Sequence, residues 1–467
     1  NDKKVLIIYE NVFESEYKEE QEKVHSFRSF PLPVAPQIKV MRHQANGISW
    51  LQNAFVKGMS GVLLADDMGL GKTFQSLCFL TWYNEFTQSK KPNLIVTPLV
   101  IMNNWAKEAK RLFRADSFCF HYCENLNLNN ITQLCCNSSS CNVVLATYES
   151  LRRNQTEICK IDWGTVILDE AQRIKTPGTL VTNSAKALKA SFRLALTGTP
   201  VENTLIDLWC IVDFLVPGLL GSAKEFAREY QSPLQDSETD LKTLGEKLRT
   251  TIDPIFLRRL KTEILTELPK KEDIVKKTLM PPAQLNRYKA AISSAKVETD
   301  SPNKRNAVLA AIWEIRDISD HPYLPDKQIE LIDSKELIDT SAKLKSTIEI
   351  LSEIKAKGEK VIIFADRRKT QRMLSRVIYD TFGIAPSIVN GDSPTEGQSH
   401  KSTITREVAI ETFQAISGFN IIIMSPIAAG VGLNIVGANN VIHYTRHWNP
   451  AKENQATDRV YRIGQNK

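Results

Sequence analysis

The chain has 467 residues and a net charge of +7, with 42% hydrophobic and 24% charged residues. These values are ordinary for a globular protein, and the length predicts roughly two to four domains. The small basic excess permits a polyanionic partner without requiring one. No apolar run in the sequence is long enough to span a bilayer, and Asn1–Glu10 has no signal-peptide pattern.

The first predicted feature is a lead-in segment, residues 1–36, which ends at a proline-marked joint. Five short apolar runs follow, and each is continuously apolar instead of alternating, which is typical of strands buried on both faces of a parallel sheet. Helix-compatible stretches separate them, so we expect an α/β fold with crossover helices. The runs are Val62–Ala65, Leu94–Thr97, Val143–Ala146, Val166–Leu168 and Leu194–Thr197.

A phosphate-binding loop is predicted directly after the first strand, where Gly69-Leu70-Gly71-Lys72-Thr73 precedes a helix-compatible run. Glycines let backbone N–H groups approach phosphates, and the helix start adds positive potential. We expect Lys72 to neutralise the β- and γ-phosphates and the Thr73 hydroxyl to ligate Mg²⁺. Asp66 stands where the general pattern has its first glycine, so a glycine-rich helix cap with an exposed lysine is the alternative.

Five of the eight cysteines lie between Cys119 and Cys141. Together with His121 they could form a zinc site, but their spacing lacks the paired C-x-x-C knuckles of such sites. The prediction is therefore reduced thiols, with zinc as the alternative.

A carboxylate pair, Asp169 and Glu170, directly follows the fourth predicted strand and begins the sequence Asp-Glu-Ala-Gln. A nucleoside triphosphate site needs a metal-binding carboxylate and a group that activates water. We expect Asp169 to hold Mg²⁺ through water and Glu170 to act as the general base. Such a pair alone is as often a solvated turn, and the upstream phosphate loop favours the catalytic interpretation.

The strand pattern stops near Thr204 and returns after residue 360. Residues 205–267 are predicted to be mainly amphipathic helices, 297–305 a loop, and 392–405 a mobile polar insert. The sequence thus predicts two α/β units with a helical region between them. The later strands are Val361–Phe364, Ser387–Val389, Ile421–Met424 and Val441–Tyr444.

Taken in order, these motifs resemble those of superfamily 2 helicase-like ATPases of the Snf2 type. The resemblance covers about Ile38 to the end, and its further blocks are Leu196–Asn203, Phe256–Lys261, His321–Leu324, Gly430–Asn434, Trp448–Pro450 and Gln455–Gln465. It implies two RecA-like parallel-sheet lobes with helical insertions.

The resemblance also implies domain limits. Lobe 1 would span residues 37–268 with a helical protrusion from about 205, and lobe 2 residues 269–467 with a helical insertion at about 280–340. Because the chain begins without Met and stops at Lys467 inside the last motif, we expect a fragment that ends before the family's C-terminal brace.

Further site residues follow from the resemblance. Gln44 resembles the adenine-reading glutamine, with an ordinary helix-surface residue as the alternative, and Gly432 lies in the glycine-rich block of lobe 2. Arg459 and Arg462, three apart on one helix face, resemble arginine fingers that reach the γ-phosphate from lobe 2. Hydrolysis would then be coupled to lobe closure. The remaining nucleotide-binding residues are Asp67, Met68, Gly69, Leu70 and Gly71.

Nucleic-acid contacts are expected after strand ends on both lobes. Short donors there suit phosphate oxygens and read no sequence, so binding should be non-specific and salt-sensitive. Each position alone could also be a strand cap. The expected contacts are Pro98, Trp105, Lys107 and Thr147 in lobe 1, and Asn390, Gly391, Ser425 and Trp448 in lobe 2.

The resemblance implies an ATP- and Mg²⁺-dependent enzyme that moves along double-stranded DNA without separating the strands. The alternatives are a strand-separating or RNA-dependent helicase, and a nucleic-acid clamp that has lost hydrolysis. Asp169–Gln172 and Pro217–Gly221 resemble bacterial members, although the family usually has DEAH where Gln172 stands. We therefore expect a cytoplasmic bacterial protein, or a nuclear one if eukaryotic, acting in defence against foreign DNA or in transcription-complex remodelling. Other protein components would bind through regions outside this chain.

Overall fold

The computed structural model describes residues 11–13, 26, 34–125, 141–235, 240–264, 271–298, 304–326, 329–393, 405–426, 435 and 437–458. The chain divides into two compact units, Asn1–Glu267 and Leu268–Lys467, which we call lobe 1 and lobe 2. Both are built on parallel sheets flanked by helices, which confirms the expected α/β class with two lobes.

Within its described residues, lobe 1 has a seven-stranded sheet in the order β3-β4-β2-β5-β6-β1-β7, with parallel neighbours. Strands β1, β2 and β4 are buried along their whole length, which explains their uninterrupted apolar sequences. The strands are β1 Gly61–Leu64, β2 Asn93–Thr97, β3 Phe118–Tyr122, β4 Cys141–Thr147, β5 Asp162–Asp169, β6 Lys189–Leu196 and β7 Phe256–Leu257.

The helices of lobe 1 cover the two faces of this sheet. They are α1 Arg42–Val56, α2 Lys72–Thr87, α3 Leu99–Leu112, α4 Tyr148–Arg153, α5 Gln155–Ile158, α6 Leu180–Lys186, α7 Leu205–Leu215, α8 Ala223–Phe226, α9 Leu241–Ile252 and α10 Lys261–Ile264. Short 3₁₀ turns occur at Cys123–Asn125, Ala171–Ile174, Ser232–Gln235 and Asp253–Ile255, and a π turn at Ala227–Gln231.

The helical protrusion expected from about residue 205 does not begin there. Helix α7 is buried over Asp207–Leu215 and packs in the hydrophobic core of lobe 1. Its sequence is apolar around most of its circumference, as a helix enclosed by protein requires, so the expectation of an amphipathic helix at this position was wrong.

Over the described part of lobe 2, a four-stranded parallel sheet has the order β11-β8-β10-β9. Its strands are β8 Lys360–Phe364, β9 Ser387–Val389, β10 Asn420–Met424 and β11 Asn440–His443. Its helices are α11 Pro282–Glu298, α12 Lys304–Asp320, α13 Ser334–Thr340, α14 Ala342–Ala356, α15 Arg368–Phe382, α16 Arg406–Ala415 and α17 Pro450–Thr457, with a 3₁₀ turn at Ile329–Leu331. Most of the insert expected to be mobile, residues 394–404, lies outside the described residues.

The loop expected at 297–305 is partly helical, because α11 continues to Glu298 and α12 begins at Lys304. Among the residues that the structure describes, no helix combines the length and the apolar character needed to cross a membrane.

Candidate ATP site and nucleic-acid segments

The phosphate loop lies between β1 and α2 at the carboxyl edge of the lobe 1 sheet. Gly69 and Gly71 have φ angles of 88° and 84°, a left-handed conformation that glycine adopts without strain. Gly71 is the N-cap of α2, so the positive end of that helix faces the loop. Lys72 donates from Nζ to the carbonyl oxygen of Asp66 at 2.6 Å, which folds the ammonium over the same loop.

Strand register places the carboxylate pair on the same edge. Leu64, the last residue of β1, is opposite Leu196 of β6, and Leu196 is opposite Asp169 of β5. Two strand spacings, about 10 Å, therefore separate the starts of the two motifs. The methionine of the loop also packs close to the next motif, since a Cβ built on Gly198 would lie 3.1 Å from Cγ of Met68. The motifs predicted to form a nucleotide site thus surround one stretch of sheet edge.

Gln44 lies at the start of α1 against the phosphate loop. Its Oε1 accepts from the Met41 backbone N–H at 3.1 Å, and its Nε2 is 2.6 Å from where a Cβ on Gly71 would be. The neighbouring His43 ring is buried, and loss of solvation lowers its pKa, so the neutral ring donates from Nε2 to the Leu70 carbonyl at 3.1 Å. The structure thus fixes α1 onto the loop; adenine recognition by Gln44 remains a prediction.

Asp66, which replaces the first glycine of the general pattern, is completely buried and forms an ion pair with Arg259. Arg259 Nε donates to Asp66 Oδ1 at 2.9 Å, and Nη2 also donates to Oε1 of Gln75 at 2.8 Å. Arg259 also donates to the His43 carbonyl oxygen. The guanidinium therefore connects the phosphate loop, α1 and α2 by hydrogen bonds to one residue of each.

Sequence reasoning gave Arg259 no role, because 193 positions separate it from its partner. Its segment follows β7, and the Asp67 N–H donates to the Arg259 carbonyl at 3.0 Å. A carboxylate next to a buried strand requires a positively charged partner. The position of Asp66 in the sequence therefore indicated that such a partner exists, but did not identify Arg259.

The Asp169 carboxylate is oriented by several donors. Its Oδ2 accepts from Trp105 Nε1 at 2.9 Å and from Thr97 Oγ1 at 3.3 Å, and its Oδ1 accepts from the Glu170 N–H at 3.0 Å. Its carbonyl oxygen accepts from the Tyr148 hydroxyl at 2.8 Å. Burial raises the pKa of Tyr148 well above its usual range, which keeps this hydroxyl protonated. Neither Tyr148 nor Thr97 was predicted to serve this site.

Glu170 is half-buried and has a φ of 52°, a left-handed conformation that is unfavourable for residues other than glycine and is often found at functional positions. Its Oε2 accepts from Gln172 Nε2 at 2.8 Å, and Gln172 Oε1 accepts from Thr197 Oγ1 at 2.7 Å. Gln172 therefore connects the carboxylate of Glu170 to the end of β6. A single amide can make both bonds, which gives a physical role to the residue that departs from the family pattern.

The donor set fits a nucleotide with Mg²⁺. Magnesium in such sites takes one or two protein oxygens and completes its shell with phosphates and water. Thr73, at the start of α2, and Asp169 supply one hydroxyl and one carboxylate at half-buried positions on the same edge. Over the described ranges, no cluster of three or more His, Cys, Asp or Glu side chains could hold a metal by itself, and Cys135 and Cys136 lie outside those ranges.

The expected nucleic-acid residues of lobe 1 do not all reach the surface. Lys107 is exposed on α3, but Pro98 is buried. Trp105 is 1% exposed and its indole N–H is directed at Asp169, so the expected contact of this side chain with nucleic acid was wrong. Thr147 is also buried, and its hydroxyl caps α4 by accepting from the Ser150 N–H at 2.9 Å. Its side chain thus acts as the alternative predicted, a cap.

In lobe 2, Trp448 is 67% exposed and stacks on the guanidinium of Arg316, 5.1 Å from its ring centroid. Arg316 also donates to Asp366 and to the Arg446 carbonyl, both at 3.0 Å, which anchors the segment that carries Trp448. Gly391 is exposed, whereas Ser425 is 9% exposed.

The Asn390 side chain is held within lobe 2 by its neighbours. Its Nδ2 donates to Gln371 Oε1 at 2.8 Å, and its Oδ1 accepts from the Asp392 N–H at 2.9 Å. Gly432, Arg459 and Arg462 lie outside the described residues, so their predicted roles stay predictions.

Two family models match most of the chain. The family model of the SNF2-related domain matches residues 43–324, and that of the helicase conserved C-terminal domain matches residues 342–464. Zorya protein ZorD of Escherichia coli O139:H28 is 36% identical over 99% of this chain and 45% of its own length. YwqA of Bacillus subtilis is 33% identical over 92% of this chain and 46% of its own length.

Among solved structures, the Sulfolobus solfataricus SWI2/SNF2 ATPase core in complex with dsDNA is similar, with 31% identity over 94% of this chain and 88% of that chain and a TM-score of 0.47. The present chain spans just under half the length of the two bacterial relatives. The match to the SNF2-related domain covers more than half of the chain, and together with the helicase conserved C-terminal domain after it, it shows that the chain belongs to the SNF2-related family.

Proposed function

We propose that this chain is the motor of a double-stranded DNA translocase, which uses Mg²⁺ and ATP to move along duplex DNA without sequence preference. One observation carries the proposal: the ends of β1, β6 and β5 lie in register, so that the phosphate loop and the carboxylate pair share an edge. The segments expected to contact nucleic acid begin at the ends of β2, which is beside β5, and of β4, the next strand of the same sheet.

Each residue of the proposed ATP site would have a distinct role in hydrolysis. Backbone N–H groups of Gly69–Lys72 and the Lys72 ammonium would hold the phosphates, and Gln44 would contact the adenine. Thr73 and Asp169 would hold Mg²⁺, which supplies charge neutralisation at the phosphates when bound. Glu170, oriented by Gln172, would take a proton from the attacking water.

Coupling to movement needs the second lobe. We propose that Arg459 and Arg462 complete the site as arginine fingers, with Gly432 beside the nucleotide. Turnover would then require closure of the two lobes. If each lobe also holds the DNA backbone, opening and closing moves one contact segment along the strand. Lys107 in lobe 1 and Gly391, Ser425 and Trp448 in lobe 2 are the proposed contacts, together with the backbone at Pro98, Thr147 and Asn390.

The biological role is a separate proposal. The family resemblance implies either defence against foreign DNA or remodelling of transcription complexes. Since the chain aligns over 99% of its length with Zorya protein ZorD, at higher identity than with YwqA, we favour the cellular process of that protein and place this chain in bacterial defence. We further propose that it acts in the cytoplasm, with other protein components bound by regions outside this chain.

The decisive experiment compares two substrates with the purified protein and ATP. One is a duplex that carries a triplex-forming strand, and the other is a forked duplex. We expect duplex DNA to stimulate ATP hydrolysis, and the triplex strand to be displaced while the fork stays paired. Glu170→Gln, which retains the nucleotide-binding residues, should abolish displacement.

Each contrary result favours an alternative. Fork unwinding without triplex displacement identifies a strand-separating helicase, and stimulation by RNA alone identifies an RNA-dependent enzyme. Substantial ATP turnover by the wild type and equal turnover by Glu170→Gln would contradict the assigned catalytic site. No ATP hydrolysis by the wild type, with Glu170→Gln behaving alike, would revive the non-hydrolysing clamp.

A further inference from the structure

The buried tryptophan of α3 links the proposed ATP site of lobe 1 to the first segment expected to contact nucleic acid. Trp105 lies on the helix that starts immediately after Pro98, in the first segment expected to contact nucleic acid. The side chain is 1% exposed, and its N–H donates to Oδ2 of Asp169 at 2.9 Å. A buried indole N–H must find an acceptor, and here that acceptor is the carboxylate assigned to Mg²⁺.

A second bond to the same oxygen comes from the same segment. Thr97, the last residue of β2, donates from Oγ1 to Asp169 Oδ2 at 3.3 Å. Both donors therefore flank Pro98, one on each side of the turn into α3. A displacement of this turn changes the hydrogen bonds to Oδ2 directly.

The other expected nucleic-acid segment of lobe 1 also reaches Asp169. Thr147 caps α4, and the next residue, Tyr148, donates from its hydroxyl to the Asp169 carbonyl oxygen at 2.8 Å. The first segment therefore holds the side chain of Asp169 and the second holds its backbone. Asp169 is the meeting point of the two segments with the nucleotide site.

We propose that Trp105 is a positioning residue through which nucleic acid bound at the turn after β2 orients the Asp169 carboxylate for Mg²⁺ and ATP. This inference rests on the proposed function, because it assumes that this turn contacts nucleic acid. It predicts that loss of the indole N–H weakens the use of Mg²⁺–ATP while nucleic-acid binding is retained. Hydrogen-bond partners of a ligating carboxylate typically contribute about 10–100-fold to metal affinity or activity.

The test uses a matched pair of variants. Trp105→Phe removes the indole N–H while it keeps an aromatic ring in the core. Trp163→Phe is the control, because Trp163 is also fully buried and donates to a backbone carbonyl, that of Ile158, at 3.1 Å. Trp163 lies near the amino end of β5, whereas Asp169 ends that strand. The two changes thus remove similar buried bonds at opposite ends of one strand.

Two measurements are needed, and the first does not require turnover. The affinity for a non-hydrolysable ATP analogue is measured with and without Mg²⁺ by calorimetry. The Mg²⁺-dependent gain is the ratio of the affinity with Mg²⁺ to the affinity without it. We expect this gain to be about tenfold smaller in Trp105→Phe than in the wild type, with the Mg²⁺-free affinity unchanged. Trp163→Phe should retain the full gain.

The second measurement is ATP turnover with and without duplex DNA. For Trp105→Phe we expect kcat on duplex DNA to fall about tenfold and KM for Mg²⁺–ATP to rise with the lost affinity, while the affinity for DNA changes by less than about twofold. The ratio of stimulated to basal kcat should fall as well. A purely structural role would lower the thermal midpoint of both variants without this split.

Equal Mg²⁺-dependent gains and equal stimulation ratios in the two variants would overturn the inference. If Trp105→Phe does not fold, Thr97→Val removes the second donor to Oδ2, and a wild-type Mg²⁺-dependent gain in that variant would also overturn it. If no nucleic acid stimulates the wild-type enzyme, the proposed function fails. The Mg²⁺-dependent gain of Trp105→Phe then still decides whether this tryptophan positions Asp169.

Discussion

The carboxyl edges of the two sheets are built in different ways. In lobe 1, besides the bond from Trp105 of α3 to Asp169, side chains at the strand ends bond to one another across the sheet, as Gln172 bonds to both Glu170 and Thr197. In lobe 2, groups at the strand ends are held by side chains from helices, as Asp366 is by Arg316 and Asn390 by Gln371.

This difference matches the work assigned to each edge. Cross-linked strand ends fix catalytic groups relative to one another, as preorganised electrostatic catalysis requires. Attachment to helices leaves groups such as Trp448 exposed on a supported surface, which suits contact with a large partner. The predictions below test whether the lobe 1 edge is the chemical one.

The largest expected effect is the loss of the general base. Glu170→Gln should lower kcat by about 10²–10⁴-fold, because its amide cannot take a proton from water. The lobe 2 control is Asp392→Asn, at a carboxylate 60% exposed, which should retain near wild-type turnover. Steady-state ATP hydrolysis on duplex DNA measures both. Similar losses in the two variants would remove the distinction between the edges.

A second prediction concerns the ion pair below the phosphate loop. Arg259→Ala leaves the buried Asp66 carboxylate without its partner and should lower the free energy of unfolding by about 3–5 kcal/mol. Arg368→Ala, which breaks the exposed pair with Asp392, should change it by less than about 1 kcal/mol. Denaturant titration followed by tryptophan fluorescence compares the two variants. A loss for Arg259→Ala no greater than for Arg368→Ala would contradict the buried-pair account.

Much of the lobe 1 edge could be predicted from sequence, since β1, β2, β4 and β5 are continuous apolar runs and the motifs follow them directly. Strand β3 was missed because it is only half-buried and contains polar residues, and β7 because it has just two residues. Neither pattern differs from that of a loop at the level of sequence.

Pairings between distant residues could not be predicted. Trp105 lies on an amphipathic helix, where a tryptophan fits the buried face as well as a nucleic-acid surface, and only its contact with Asp169 decides between them. Arg259 had no local signal that it would meet Asp66. Local periodicity therefore locates motifs, whereas the partners that orient them depend on tertiary packing.

A third prediction concerns pH and lobe 2. His321 is fully buried; its Nδ1 accepts from the Tyr323 N–H at 3.1 Å and its Nε2 donates to the Leu337 carbonyl at 3.0 Å, so the ring is neutral. Burial lowers the pKa of His321 from 6.5 to about 4. Below pH 6.5 the unfolded chain therefore binds more protons than the folded protein does. The free energy of unfolding should fall by up to about 3 kcal/mol as the pH falls from 6.5 to about 4.

The measurement is the free energy of unfolding between pH 4 and 7 for the wild type and for His321→Asn, which removes this titration. The variant should show a shallower loss on the acid side. An identical pH dependence in both proteins would show that His321 is not the titrating group.

The smallest of these effects is expected from the amide that joins β5 and β6. Gln172→Leu keeps the side-chain volume but removes both bonds, so kcat should fall about tenfold, with KM for ATP nearly unchanged, because Glu170 loses its orientation. Thr197→Val, which removes only the bond between Thr197 and Gln172, should lower kcat by less. Wild-type kcat in Gln172→Leu would show that the bridge between strands is dispensable.

The central claim is that one edge of lobe 1 joins the proposed ATP site to the segments proposed to contact nucleic acid. Its most direct test is the affinity for a non-hydrolysable ATP analogue with Mg²⁺, measured with and without saturating duplex DNA. Because coupling of binding is reciprocal, the account predicts that DNA changes this affinity by about 5–150-fold, and that the analogue changes the DNA affinity by the same factor. Equal affinities with and without DNA would contradict it.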